Sequence, residues 1–264
     1  MAQKSDTSLE DFLEYLSWRQ EEKGLFERKF IAEVRDFLVE NQIHAQSETA
    51  FIASFAALAG GWQTDVADKL VNDLGVTSID EAGQTNLSPL KDVAEYHAHR
   101  NANAFKVAGA VNSLENLSIN GTEVDSFSEF FGRLYSLRHD ESVAPQEDTR
   151  REITFDTAMD SLEGVHTFQR LQAFDWLEVV IRAHSVSWLT PPQLKIRYIN
   201  STKPKEAFNS IFPVDTSDPE ASTYLRLLES YGRAEQNMND VDAVFDIESC
   251  LCTYMSDLED CNWP

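Results

Sequence analysis

Apolar residues recur at intervals of three and four along almost the whole chain, which is the period of an α-helix. Leu9, Phe12, Leu13, Leu16 and Trp18 follow Ser8, with Glu10 and Asp11 beside them, so a helix opens there; Gly24 ends it. A second stripe carries Phe26, Phe30, Ile31, Val34, Phe37 and Leu38. Ser47-Glu48-Thr49 caps a third helix over 50–58, which is apolar nearly all round and therefore predicted to be buried. Gly60-Gly61 stops it. Further helices are predicted over 65–74, over 89–114 with an interruption near 101–103, and over 126–137, where Phe127, Phe130, Phe131, Leu134 and Tyr135 make an aromatic face. The pattern turns helical again from Ile153, and 218–232 and 240–258 close the chain. The prediction is an all-α fold.

Two stretches break the pattern. Residues 139–152 are polar, charged and contain Pro145, so they predict a loop between an N-terminal helical subdomain, 1–138, and a C-terminal helical half, 153–264. Residues 187–213 hold Pro191, Pro192, Pro204 and Pro213. They also hold a short β-like run at 195–199 and four cations, Lys195, Arg197, Lys203 and Lys205, in a chain otherwise dominated by acids.

That dominance is large: 45 Asp and Glu stand against 22 Lys and Arg, for a net charge of −23. The acids are spread along the chain rather than gathered in a tail. A solvated acidic surface of the kind suited to high salt, a mimic of DNA phosphates, and an ordinary acidic protein all fit. Nonspecific binding to nucleic acid at low salt does not fit, because phosphate affinity comes from Lys and Arg; a DNA-acting chain of this charge needs a local basic patch or screening. The longest apolar run, 51–59, is broken by Ser54 and falls short of the roughly 18 residues a membrane span requires, so no membrane partner is expected. The opening residues lack the apolar core of a secretion signal, which predicts a cytoplasmic protein. Cys250, Cys252 and Cys261 make no disulfide framework, and no Cys and His grouping has zinc spacing; His97 and His99 would point to different faces of a helix. Neither a metal nor a cofactor is expected.

The most informative stretch is 153–183. A helix runs to Leu162, Gly164 supplies a sharp turn, Val165 can tuck inward, and a second helix is predicted from near Thr167, with Leu171 and Phe174 continuing the apolar face. Such a turn is often plain structure. It can also hold a DNA phosphate on the amides that open the second helix.

The pattern Leu162-x-Gly164-Val165 followed by a helix resembles the helix-hairpin-helix of DNA glycosylase-like proteins. Three wider segments, 166–182, 197–212 and 246–260, resemble the C-terminal part of the α-glutamyl/putrescinyl thymine pyrophosphorylases, also called amino acid:DNA transferases. The positions that carry it are Phe168, Arg170, Leu171, Ala173, Phe174, Asp175, Leu177, Tyr198, Ser201, Thr202, Pro204, Phe212, Glu248, Leu251 and Cys252. The resemblance implies a glycosylase-like helical fold. It implies an enzyme that installs an amine or amino acid on a thymine-derived DNA base with loss of phosphate or pyrophosphate. The substrate would be duplex DNA with the base flipped out, or single-stranded DNA.

Departures accompany the likeness. His166 replaces a second hairpin glycine, and Lys203 stands where a small residue is expected. Residues 182–186 contain no carboxylate where glycosylases of this kind carry a catalytic Asp, and no Lys occurs between Lys106 and Lys195 to act as a Schiff-base nucleophile. Cleavage of a glycosidic bond by the usual route is therefore not expected.

Under the enzymatic reading Asp175 is an acid/base or amine-orienting carboxylate, and Arg170 clamps a phosphate with its planar fork. Gly164, His166 and Thr167 contact the strand; Thr202, Lys203 and Lys205 hold a phosphate or pyrophosphate; Trp176, Trp188 or Tyr198 stacks on a base. The competing reading makes the lysine cluster a solvated turn, the aromatics core, and Arg170 and Asp175 structural polar residues. The whole chain is then a non-catalytic acidic interaction or scaffold protein. A third candidate, an Arg133/His139 nuclease pair, rests on spacing alone.

Overall fold

The computed structural model describes residues 8–23, 25–94, 106–165 and 168–259. Its α-helices, in chain order, are α1 (Leu9–Trp18), α2 (Phe26–Glu40), α3 (Glu48–Ala59), α4 (Thr64–Asp68), α5 (Ile79–Gln84) and α6 (Val107–Asn112). There follow α7 (Phe127–His139), α8 (Glu147–Glu163), α9 (Arg170–Arg182), α10 (Thr202–Ile211), α11 (Ala221–Glu235) and α12 (Asp240–Glu259). Gly24, His97, His99, Cys261 and the predicted interruption at 101–103 lie outside the described residues.

The fold is all-α. Among the described residues the strands are β1 (Ser118–Ile119) and β2 (Thr122–Glu123), an antiparallel pair. Asn120 and Gly121 join them at φ 51 and 77, the two left-handed positions that a tight hairpin turn demands. The strand expected at 195–199 is instead a turn, closed by the Tyr198 N–H donating to the Lys195 carbonyl at 2.9 Å. Tyr198 and Ile199 are wholly buried, so the β-like residues there serve packing rather than pairing. No helix among the described residues is long and apolar enough to cross a membrane.

The chain divides into two compact units, one formed by Met1–Arg28 together with Pro191–Pro264, the other by Lys29–Thr190. The division falls neither at 139 nor at 152. The reason lies in the arginines of that polar stretch. Arg138 pairs with Glu147 at 2.8 Å, and Arg150 donates to the carbonyls of Arg138, Ala144 and Pro145. These bonds bind the C-terminal end of α7 to the start of α8, and only 140–146 remain as loop.

In the Lys29–Thr190 unit, α3 is the centre. Every residue over 50–58 is buried, as its apolar circumference predicts, and α3 packs on α4, α6, α7 and α9. Phe51, Phe55, Phe127, Phe131 and Trp176 interlock there, with Phe51 and Phe131 at 4.6 Å and Phe127 and Trp176 at 5.1 Å between ring centres. Each such ring contributes about 1.5–3 kcal/mol by leaving water. Gly60 ends α3 where a Cβ would lie 2.6 Å from Val66 Cγ2, so no larger residue fits without moving α4.

In the other unit, α12 packs on α1, α10 and α11. Ser8 and Asp11 form a reciprocal cap at the start of α1. Phe12 and Tyr15 meet Tyr254 at 5.2 and 5.1 Å, and the Tyr15 hydroxyl donates to Asp257 at 2.6 Å.

Candidate functional site

The hairpin comes from α8 and α9, which pack through Phe155 and Phe174 edge to face at 6.1 Å. Gly164 is the C-cap of α8 and is exposed, and Val165 tucks inward to 3% exposure. The Val165 N–H donates to Leu162 and its carbonyl accepts from Phe168, both at 3.0 Å. Phe168 then stacks on Phe55 at 4.3 Å and anchors the far side of the turn. Gly164 has φ −73, so its role is a tight path rather than a left-handed backbone. His166 and Thr167, the expected strand contacts, lie outside the described residues.

The second helix begins at Arg170 rather than near Thr167. Gln169 and Gln172 cap it reciprocally, the Gln169 N–H donating to Gln172 Oε1 at 3.0 Å. That cap places polar side chains on amides that an open phosphate site would leave bare.

Arg170 reaches back across the turn to Glu163, Nε to Oε1 at 3.5 Å, with both side chains about 30% exposed. The guanidinium expected to clamp a phosphate is thus already matched to a carboxylate. Asp175, one turn and a half further along α9, is half-buried. Trp176 and Tyr198 are not placed to stack on a base: both are wholly buried, and Trp176 is wedged among Phe55, Phe127 and Phe131 with its indole N–H donating to Ser54 at 3.3 Å. Neither presents a ring face to a base.

Thr202, Lys203 and Lys205 occupy the first turn of α10, with Thr202 and Lys203 exposed. Lys203 Nζ donates to Ser256 at 2.7 Å, and the charge of Lys205 helps hold the Asp215 carboxyl below its usual range, after hydrogen bonds from Ser217. Helices normally open with acids, which favour the positive end of the dipole. Arg170 opens α9, Lys203 and Lys205 open α10, and neither first turn contains an acid. Gly164, Arg170 and Asp175 belong to the Lys29–Thr190 unit, whereas Thr202, Lys203 and Lys205 belong to the other.

The most strongly perturbed groups lie elsewhere. His184 stands in the 182–186 stretch that lacks the glycosylase carboxylate. It is fully buried, with Nδ1 2.5 Å from the Ala45 carbonyl and Nε2 2.9 Å from Ser54 Oγ. Burial pushes its pKa down to about 4, so the ring is neutral: Nδ1–H donates to Ala45 and Nε2 accepts the Ser54 hydroxyl. A base orienting a hydroxyl in this way is the geometry of an activated serine. Ser54 at 2% exposure has no path to a substrate, so the pair ties the C-terminal end of α9 to α3. Glu48 performs a similar task, accepting from the Phe127 and Ser128 N–H groups at 3.0 and 3.1 Å and capping α7. Burial raises its pKa against those bonds.

Two acids of α12 are buried. Asp246, 1% exposed, accepts from Gln20 at 2.9 Å and pairs with Arg28. Glu248, 3% exposed, accepts the Cys252 thiol at 3.2 Å. Desolvation pushes the Glu248 pKa up to about 8, with the charge of Glu27 adding to the rise, so this carboxyl is protonated at neutral pH. Burial also pushes the Cys250 thiol well above its usual range, which makes it inert as a nucleophile. Composition does not mark Glu248 as exceptional; its signal is an acid four residues before a cysteine, flanked by the apolar residues Ile247 and Leu251. Among the described residues no group of three or more His, Cys, Asp or Glu side chains is placed to hold a metal ion.

No protein-family model, no curated protein and no solved structure matches this chain.

Proposed function

We propose that the chain is a DNA-acting, glycosylase-like enzyme that modifies a thymine-derived base, displacing phosphate or pyrophosphate by an amine or amino acid. The observation that carries the reading is the exposed Gly164 turn between two packed helices with Val165 turned inward, followed by a helix that opens on Arg170 in a chain of net charge −23. In this reading the amine forms a C–N bond as the C–O bond to the leaving phosphate breaks, and Asp175 takes the amine proton. Arg170 exchanges Glu163 for the phosphate. The cationic opening of α10 is a separate contact for the DNA backbone.

Binding to duplex and single-stranded DNA across a salt series tests it. Retention that weakens as salt rises is expected, with Lys203→Glu reducing the salt slope by about one charge. No retention at any salt defeats the reading. Asp175→Asn is expected to abolish base modification while leaving DNA binding intact.

A second reading, a non-catalytic acidic interaction protein, is favoured by the Arg170–Glu163 pair and by the burial of Trp176 and Tyr198. It predicts that Arg170→Ala and Asp175→Asn change nothing but stability.

A further inference from the structure

Ser54 on α3 and His184 after α9 are polar side chains buried in an aromatic interior, and their hydrogen atoms can be assigned one by one. Three groups converge on the Ser54 hydroxyl: His184 Nε2 at 2.9 Å, the Phe51 carbonyl at 3.0 Å and the Trp176 indole N–H at 3.3 Å. The hydroxyl has one hydrogen and two lone pairs. The indole can only donate to it and the carbonyl can only accept from it. Its single hydrogen therefore goes either to Phe51 or to His184.

The protonation of the ring decides between them. Nδ1 faces the Ala45 carbonyl at 2.5 Å, so it carries a hydrogen in every state. In the neutral ring Nε2 is bare and takes the Ser54 hydrogen. The Phe51 carbonyl is not orphaned by this, because it lies within α3 and accepts a bond of the helix ladder. In the cationic ring Nε2 carries a hydrogen too and donates to the Ser54 oxygen, whose other lone pair serves Trp176. The hydroxyl then turns to the Phe51 carbonyl, a back-bond that serines within helices make readily. Both states leave every polar atom of the group partnered. The added proton costs the desolvation of a charge but no hydrogen bond.

The charged groups on the surrounding elements are engaged elsewhere. Glu48 on α3 accepts from the amides that open α7, and Glu178 and Arg182 on α9 pair with each other at 2.8 Å. Arg35 on α2 donates to the Arg182 carbonyl, and His44 accepts the Gln46 N–H at 3.2 Å. On α7, Arg133 pairs with Glu129 at 2.6 Å, Arg138 with Glu147, and His139 is exposed. Burial and the Ala45 bond set the proton affinity of His184.

We propose that Ser54 is a two-position hydrogen-bond switch: its hydroxyl turns from His184 to the Phe51 carbonyl, and the buried imidazole takes up a proton while α3 and α9 stay joined. The device belongs to the Lys29–Thr190 unit and does not depend on the DNA-directed reading.

Nitrogen NMR of the imidazole in the full chain, followed from neutral pH into acid, tests it. At neutral pH Nδ1 is expected to carry the hydrogen and Nε2 to show the shift of a bare nitrogen. As pH falls, the ring gains its second proton while the amides of α3 and α9 keep their native shifts. In Ser54→Ala the imidazolium loses its acceptor, and bonds to charged groups are the stronger ones. The proton affinity of His184 in the folded variant is expected to fall about tenfold, which moves its titration about one pH unit lower. Three results overturn the switch: a second proton that arrives in wild type only as the native shifts of α3 and α9 disappear, a neutral ring with its hydrogen on Nε2, or a folded Ser54→Ala that titrates with wild type. If Ser54→Ala does not fold, the wild-type titration decides alone.

Discussion

In the Lys29–Thr190 unit the buried polar centre is a neutral imidazole, His184, set among phenylalanines and satisfied by one hydroxyl and one carbonyl. In the unit formed by Met1–Arg28 and Pro191–Pro264 it is two buried carboxyls of α12, Asp246 paired with arginine and Glu248 with its pKa raised by burial. Burial opposes charge in both, but the charged form lies on the acid side for the imidazole and on the alkaline side for Glu248. The two units are consequently sensitive to opposite ends of the pH scale. Hydrogen exchange read segment by segment separates them.

The largest effect is expected from Trp176→Ala, which empties the aromatic centre around α3 and costs about 3–5 kcal/mol. Protection is expected to fall throughout Lys29–Thr190 and to persist in α10, α11 and α12. An equal loss in both units would show that they unfold as one and would break the comparison.

Glu248 comes next. Its folded pKa lies above its ordinary value of 4.5, so the native state holds a proton that the unfolded chain releases. Stability from this group is complete below about pH 4.5 and declines as pH rises toward about 8, at no more than about 1.4 kcal/mol per pH unit. Glu248→Gln is expected to flatten that decline in chemical denaturation followed at α12. An unchanged slope would remove Glu248 as its source.

His184 has the opposite sign. Its folded pKa, about 4, lies below the ordinary 6.5, so the unfolded chain takes up a proton first as pH falls. Stability is complete above pH 6.5 and is lost on descending to about pH 4, by about 3 kcal/mol in all. His184→Gln is expected to be less stable at neutral pH yet flat across that window. A parent protein that shows no loss there would refute the neutral-imidazole assignment.

The smallest effect belongs to the helix caps. Ser126 accepts the Glu129 N–H at 3.1 Å, and Ser126→Ala is expected to cost about 1 kcal/mol, confined to α7 and its neighbours. A larger loss would mean that Glu48, which binds the same helix end, loses its grip as well.

Much of the helical architecture is legible in the chain, because α3 is apolar all round and α7 carries its phenylalanines on the helix period. The Gly164 turn and the inward Val165 are legible too, since a small residue followed by an apolar one has few other uses between two amphipathic helices. Three features escape a local reading. The start of α9 is capped by Gln169, a residue outside the usual Ser, Thr, Asp and Asn set. The 139–152 stretch reads as a linker because the Glu147 carboxylate that Arg138 binds and the carbonyls that Arg150 serves are invisible in a list of polar residues. The aromatic roles invert: Trp176 and Tyr198 sit in motif-like surroundings and are buried, whereas Tyr135 belongs to an aromatic run read as core and is half exposed. Burial of a single ring depends on which helix covers it, and that is a tertiary fact. The hairpin at Asn120-Gly121 is the reverse case, a strong local signal passed over among predicted helices.

The discontinuous unit has a consequence for biosynthesis. Lys29–Thr190 is contiguous and can reach its native state while the ribosome is still translating. Helix α1 precedes Lys29–Thr190 in the chain yet packs on α12, in the stretch after Pro191, so it lacks that partner until α12 has been made. The reciprocal Ser8–Asp11 cap favours the start of α1, but ten residues are too few to hold a stable helix alone, so α1 is completed as its tyrosine contacts with α12 close.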